Sequence, residues 1–414
     1  MKGIRPVSTV ADVKNSNGTS YILQTSNIKT MDSLKNMLGR NEESCTVLRD
    51  LPIIDGMAVK FAPKSDDLMK DLKRMGVVFT KDEKMSIPEP KEMQIGKNVT
   101  PSRLDIATPT LGLDKLHEQG ITGKGVTIAV IDTGIAPHAD LKDRIVGFFD
   151  LVNKKEEPYD DNKHGTHCSG IATGDGTNSQ GLYVGAAPEA KLVGIKVLSG
   201  AGSGSFSTVI EGIQTAVEHK DDMGIKVLSL SLGAYASKPA QDDPVVQAVE
   251  KAVEAGVSVV IAAGNSGPYA KTVGTPGNAP NVITVGAADD KNTLTREDDI
   301  VARFSSRGPT KFDELVKPDV IAPGTNIIAA SNDMEGYVSL SGTSMATPDV
   351  AGTVALLYQV KPNATPQEIK SALMGTAEHL PSMPEKDPNV EGQGMINPAA
   401  AIKRLLAKET QKTN

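Results

Sequence analysis

Val126-Thr127-Ile128-Ala129-Val130-Ile131-Asp132-Thr133-Gly134 is a short, β-branched, continuously apolar run that ends on a carboxylate and a glycine turn. A half-exposed strand would alternate apolar with polar residues; a run apolar on both faces belongs to a strand covered on both sides. Leu192–Val197, Val227–Leu230, Val257–Ala262 and Val282–Val285 have the same character, and helical patterns at Val209–His219 and Pro244–Glu254 separate some of them. Strand, helix, strand in this order predicts an α/β domain, a doubly wound, mostly parallel sheet with helices on both faces. Ligands of such sheets lie at the carboxyl ends of the strands.

Upstream, residues 19–87 read as a separate unit. Thr19–Thr25, Cys45–Leu48, Gly56–Phe61 and Gly76–Thr80 are strand-like. Met31–Leu38, with Thr30 as a possible cap, and Asp66–Met75 carry helical spacing. The order βαββαβ is that of a small α+β ferredoxin-like unit. Residues 84–104 lose periodicity and gain prolines and charge, so a linker is placed at 88–104 as either an accessible cutting site or a plain tether. Residues 1–18 are then an N-terminal extension, 105–403 the large domain and 404–414 a charged tail.

The totals narrow the function. The 414 residues hold 44 Lys and Arg against 51 Asp and Glu, so the net charge of −7 offers no basic field for nucleic acid. No run approaches the ~18 apolar residues of a membrane span. Two cysteines, Cys45 and Cys168, are too few for a disulfide framework and are expected as free thiols. Residues 1–25 contain no apolar leader pattern, so either the protein stays inside the cell or a leader is absent from this sequence.

Four polar residues stand where apolar elements end or begin. Asp132 closes the first strand; it is a helix or turn cap, or a carboxylate whose burial requires hydrogen bonds or a cation. His164, in Asp161-Asn162-Lys163-His164-Gly165-Thr166-His167-Cys168, suits a proton shuttle, a structural role, or a metal site with His167 and Cys168. Asn265, in Ala262-Ala263-Gly264-Asn265-Ser266-Gly267, is a turn residue or an oxyanion donor. Ser344, in Ser341-Gly342-Thr343-Ser344-Met345-Ala346-Thr347-Pro348, precedes the apolar run Val350–Leu357. Pro348 suits the first turn of a helix, which puts Ser344 at a helix N-terminus, as a cap or a nucleophile.

Taken together, Asp, His, Asn and Ser in this chain order resemble the subtilisin-like serine proteases, the subtilase family, over about residues 105–403. The resemblance implies that Ser344 attacks, His164 shuttles the proton, Asp132 orients His164, and Asn265 binds the oxyanion. It implies a peptide clamp between Ser199, Gly200, Gly202 and their neighbours on one side and Ser231, Leu232 and Gly233 on the other. Ala263, Gly264, Gly274 and Gly277 would line a first pocket without an acidic floor, and Phe206 would wall a second. Broad cleavage of protein or peptide substrates after apolar or uncharged residues is expected. Structural calcium is implied at Asp140, with Asp175, Thr177 and Asn178 as further candidate ligands. Residues 19–87 match the family's propeptide, an intramolecular chaperone and inhibitor removed by self-processing within 84–100, with Met85 or Met93 before the cut. The protein is expected to act as a monomer, with neither nucleic acid nor membrane as partner. Where the family has His after Thr-Pro, this chain has Asp349.

Overall fold

The computed structural model describes residues 18–25, 28–63, 65–88 and 104–410. These form two compact units, divided between Glu83 and Lys84.

The smaller unit runs β1 (Thr19–Gln24), α1 (Ile28–Arg40), β2 (Cys45–Leu51), β3 (Gly56–Phe61), α2 (Asp66–Arg74) and β4 (Val78–Lys81). Its antiparallel sheet has the order β2-β3-β1-β4. Alternate residues Leu23, Met57, Val59 and Phe61 meet Leu34, Leu38, Leu68 and Leu72 in one core. The expected βαββαβ order is present; Thr30 lies inside α1, which begins before it.

The larger unit opens with β5 (Lys84–Ser86), α3 (Leu104–Thr110) and α4 (Leu113–Glu118). Then come β6 (Thr127–Asp132), β7 (Ile145–Asp150), α5 (His164–Thr173), β8 (Lys191–Lys196), β9 (Ser203–Ser205) and α6 (Phe206–Glu218). β10 (Ile225–Leu230), α7 (Pro244–Glu254), β11 (Ser258–Ala262), β12 (Ile283–Asp289), β13 (Ile300–Val301) and β14 (Val320–Pro323) follow. The unit ends with β15 (Ile327–Ala330), β16 (Tyr337–Leu340), α8 (Thr343–Val360), α9 (Pro366–Met374), α10 (Pro388–Glu391) and α11 (Pro398–Thr410). The sheet order is β13-β12-β11-β10-β6-β8-β7, with β14 also on β12. Every pairing in it is parallel except β12 with β13.

All six residues of β6 are buried, as a doubly covered strand requires. Its neighbour across one layer is α8, whose residues are buried from Thr343 to Tyr358. Val350, Val354 and Leu357 of α8 join Val130, Val227, Val260 and Val285 in one core. Each such side chain contributes about 1.5–3 kcal/mol of transfer free energy on burial. A helix buried all round cannot shift without emptying that core, which makes α8 a rigid mount for its first residues. Pro348 lies in the second turn of α8 rather than the first. The reason lies in one carbonyl. The N–H that proline lacks would have bonded the Ser344 carbonyl, and that oxygen is taken instead by Ser231 Oγ at 2.9 Å and Cys168 Sγ at 3.4 Å.

Candidate active site

Asp132 ends β6, and His164 begins α5. Their approach depends on two glycines. A Cβ on Gly165 would fall on the Gly134 carbonyl oxygen, and Gly134 itself holds φ +124 with the Tyr159 carbonyl against its Cα. With both positions bare, His164 Nδ1 lies 2.8 Å from Asp132 Oδ1 and 3.0 Å from Oδ2. Both side chains are 1% exposed. Burial opposes protonation of His164, and the Asp132 carboxylate outweighs it, so the imidazole is held well above its ordinary pKa. Nδ1–H therefore donates to Asp132. That leaves Nε2 buried and without a hydrogen-bond partner, as the ring nitrogen open to a proton from a neighbouring group.

The start of α5 is organised by Asp160, which sequence reading did not single out. Its Oδ1 accepts from Asn162 N–H at 2.9 Å, Lys163 N–H at 3.0 Å and the Thr133 hydroxyl at 2.9 Å. Its Oδ2 accepts from Thr166 N–H at 2.9 Å and the Thr166 hydroxyl at 2.8 Å. One carboxylate thus ties the strand bearing Asp132 to the helix bearing His164. Negative charge at a helix N-terminus is favourable in its own right.

Ser344 occupies the first turn of α8 and is fully buried. Its Oγ donates to the Ser231 carbonyl at 3.3 Å. Cys168 Sγ lies 3.9 Å from His164 Nδ1 and donates to the Ser344 carbonyl at 3.4 Å, so it touches both α5 and the start of α8. Asn265 follows β11; its Oδ1 accepts from Thr343 N–H at 2.9 Å and the Thr343 hydroxyl at 3.0 Å. Two donors on the oxygen set the orientation of the amide, and Nδ2 lies beside Gly342, 3.0 Å from where a Cβ there would stand. The amide donor and the Ser344 backbone N–H are thereby on the same end of α8. His167 turns away from His164 and Cys168: its Nε2–H donates to the Ile327 and Val338 carbonyls, and burial with His164 beside it lowers its pKa to about 3.

Beside Asn265 lies a cavity of about 660 Å³ whose lining includes Ala263, Gly264, Gly274, Leu232 and Gly233. Tyr235, Thr272 and Thr275 also line it and were not anticipated. Among the described residues no charged side chain does. Gly277 and Phe206 are buried outside the lining; the Gly277 carbonyl accepts from the Thr284 hydroxyl. Ser199 Oγ donates to the Ser203 carbonyl, and the Gly200 carbonyl accepts from Asn162 Nδ2, which shapes one edge of the cleft.

Between the two edges runs a stretch of the chain itself. β5 pairs antiparallel with β9, Met85 opposite Gly204. Ser86 exchanges both main-chain hydrogen bonds with Gly233, at 3.1 and 2.9 Å, and Ile87 N–H donates to the Gly202 carbonyl at 3.0 Å. Pro88 reaches the cavity lining alongside Asn265. Lys84 to Ser86, read as the start of an extended stretch without periodicity, is a strand, because the edges supply main-chain partners that no side-chain pattern announces. Met85 is buried three residues before Pro88, and Met93 lies outside the described residues.

The residues expected to hold calcium are arranged differently from a metal cage. Asp140 Oδ1 accepts from Asn178 N–H at 2.6 Å, and Oδ2 from the Tyr337 hydroxyl at 2.6 Å. Asp175 Oδ1 accepts from Thr177 N–H at 2.8 Å, and Oδ2 from the Arg144 guanidinium at 2.7 Å. Asn178 Nδ2 donates to the Glu335 carbonyl. A calcium ion does not fit this set as it stands, since N–H and O–H donors already occupy its carboxylate oxygens.

Comparison with known proteins agrees with this geometry. The subtilase family matches residues 123–396. The chain is 46% identical over 314 residues to serine protease AprX of Bacillus subtilis (strain 168), covering 71% of this chain and 70% of that protein. It is 37% identical over 297 residues to subtilisin DY of Bacillus licheniformis, covering 71% and 96% respectively. Fervidolysin from Fervidobacterium pennivorans, described as a keratinolytic enzyme related to subtilisin, is similar in fold with a TM-score of 0.73. That likeness, at 24% identity, covers 94% of this chain and 61% of fervidolysin.

Proposed function

The chain belongs to the subtilase family and is a subtilisin-like serine endopeptidase; on that premise we propose an Asp132-His164-Ser344 triad whose first substrate is the chain's own segment ahead of Glu89. The hydroxyl of Ser344 turns from the Ser231 carbonyl to His164 Nε2, gives up its proton there and attacks the scissile carbonyl. His164 then protonates the leaving amine, and water hydrolyses the acyl-enzyme by the same path in reverse. Asp132 keeps the proton on Nδ1 and stabilises the imidazolium. Asn265 Nδ2 and the Ser344 N–H receive the oxyanion.

The observation that carries this reading is the Lys84–Pro88 segment, paired like a substrate on both edges and ending at a cavity that contains Asn265. Its register favours cleavage after Pro88. The uncharged lining supports broad specificity for apolar or uncharged residues at the bond cut. The ferredoxin-like unit immediately preceding this segment acts as chaperone and inhibitor until the cut, and the enzyme works as a monomer on protein and peptide substrates. A serine-directed fluorophosphonate should label the wild type and not Ser344→Ala; equal labelling of both would remove Ser344 from the mechanism.

A further inference from the structure

The loop where a calcium ion was expected already contains a cation. Arg144, at the end of the short turn Lys142–Arg144, lays its guanidinium into that loop with its side chain only 14% exposed. One terminal nitrogen donates to Asp175 Oδ2 at 2.7 Å. The other donates to the Thr173 carbonyl at 2.6 Å and to the Asp140 carbonyl. A carboxylate and two main-chain carbonyls from separate segments converge on one positive group, the kind of hard-oxygen set that a calcium ion would collect. A planar guanidinium with fixed donors can satisfy three such oxygens at once, whereas a lysine ammonium offers a single point charge.

One ion pair and a set of neutral donors serve the two carboxylates here. Asp175 is ion-paired with Arg144, and although burial works against ionisation, the bonds from Thr177 and Arg144 keep its carboxyl below the usual range. Asp140 is 1% exposed, and both of its oxygens accept from donors of the loop and of Tyr337. His138 is tied into the same loop: its Nδ1 accepts from Asp140 N–H, and its Nε2–H donates to the Gly336 carbonyl. A divalent ion entering here would meet the guanidinium face to face.

We propose that Arg144 is the resident cation of this loop, so that the order of residues 175–184 depends on Arg144 and not on calcium. Removing the guanidinium would strip the Asp175 carboxylate and the two carbonyls of their partner and leave an oxygen-lined site that a calcium ion could enter. The test is hydrogen exchange of segment 175–184 in the full chain carrying Ser344→Ala, which prevents self-digestion, in EDTA and in calcium. The expected result is equally slow exchange in both with Arg144 present. With Arg144→Met, exchange should speed by at least about tenfold in EDTA and slow again in calcium. Terbium luminescence sensitised by Tyr337 should appear in that variant alone. Faster exchange in EDTA than in calcium with Arg144 present, abolished by Asp175→Asn, would overturn the proposal, and this comparison needs no Arg144 variant to fold. Unchanged exchange in a folded Arg144→Met chain would overturn it as well.

Discussion

In the proposed triad Asp132 and His164 carry the acid–base chemistry, and the raised pKa of His164 has a kinetic consequence. The imidazole must be neutral to accept the Ser344 proton, and its folded pKa lies above the ordinary value. The acid limb of kcat/KM for the processed enzyme should therefore have its midpoint above pH ~6.5. In Asp132→Asn the midpoint should fall along with the rate; a midpoint unmoved by that change would contradict the assignment. Asp160 positions rather than reacts. Asp160→Ala should lower kcat/KM by about 10²-fold, as misplacement of a catalytic group by an ångström can do, and lower Tm. Asp349 is a different case: both carboxylate oxygens lack hydrogen-bond partners, and burial, with Asp290 nearby, raises its pKa well above the ordinary value. An acid with a raised folded pKa holds a proton that the unfolded chain releases. Stability is then lost as pH rises above about 4, by up to ~1.4 kcal/mol per pH unit until the folded pKa is reached. Asp349→Asn should match wild type near pH 4 and exceed its Tm at neutral pH, whereas parallel Tm–pH curves would refute this. Asp132, His164, Asn265 and Ser344, the residues of the proposed mechanism, stand out in the sequence because each abuts an apolar run or helix start. Asp160 and Arg144 do not: Asp160 sits in a loop with no apolar run to mark it, and Arg144 meets Thr173 and Asp175 from a segment about thirty residues on.

Strands and helices were read from the sequence to within a few residues where burial on both faces writes a continuous apolar run, as in β6, β8 and β11. β5 was not legible, since a three-residue strand held by main-chain bonds leaves no periodicity. Pro348 was placed a turn too early for a related reason: whether proline is tolerated depends on what else bonds the vacated carbonyl, and Ser231 and Cys168 come from other elements. The same chemistry applies at Pro88. A residue with an N–H there could bond a cleft carbonyl, but proline has none, and the Ser344 hydroxyl is found on the Ser231 carbonyl. Pro88→Ala should therefore speed self-processing several-fold, followed as loss of the full-length band with time. Slower processing would contradict a cut directly after residue 88.

At the scale of the whole chain, the two compact units have separate cores, and the division falls just ahead of the segment that lies in the cleft. Among the described residues no helix is long and apolar enough to cross a membrane. The large unit is dominated by parallel strands whose pairings join distant parts of the chain, a topology that folds slowly. Its refolding from denaturant, started at residue 89, should be accelerated at least about tenfold by residues 18–88 added in trans; an unchanged rate would remove the chaperone role. The central claim is that Ser344 cuts its own chain at the bond presented by the cleft-bound segment. Intact-mass spectrometry of purified wild type and Ser344→Ala, incubated side by side, reads that event directly. The expected result is a new N-terminus at Glu89 in wild type and an unprocessed mass of the full 414 residues in the variant. Processing of both chains alike, or of neither, would contradict it.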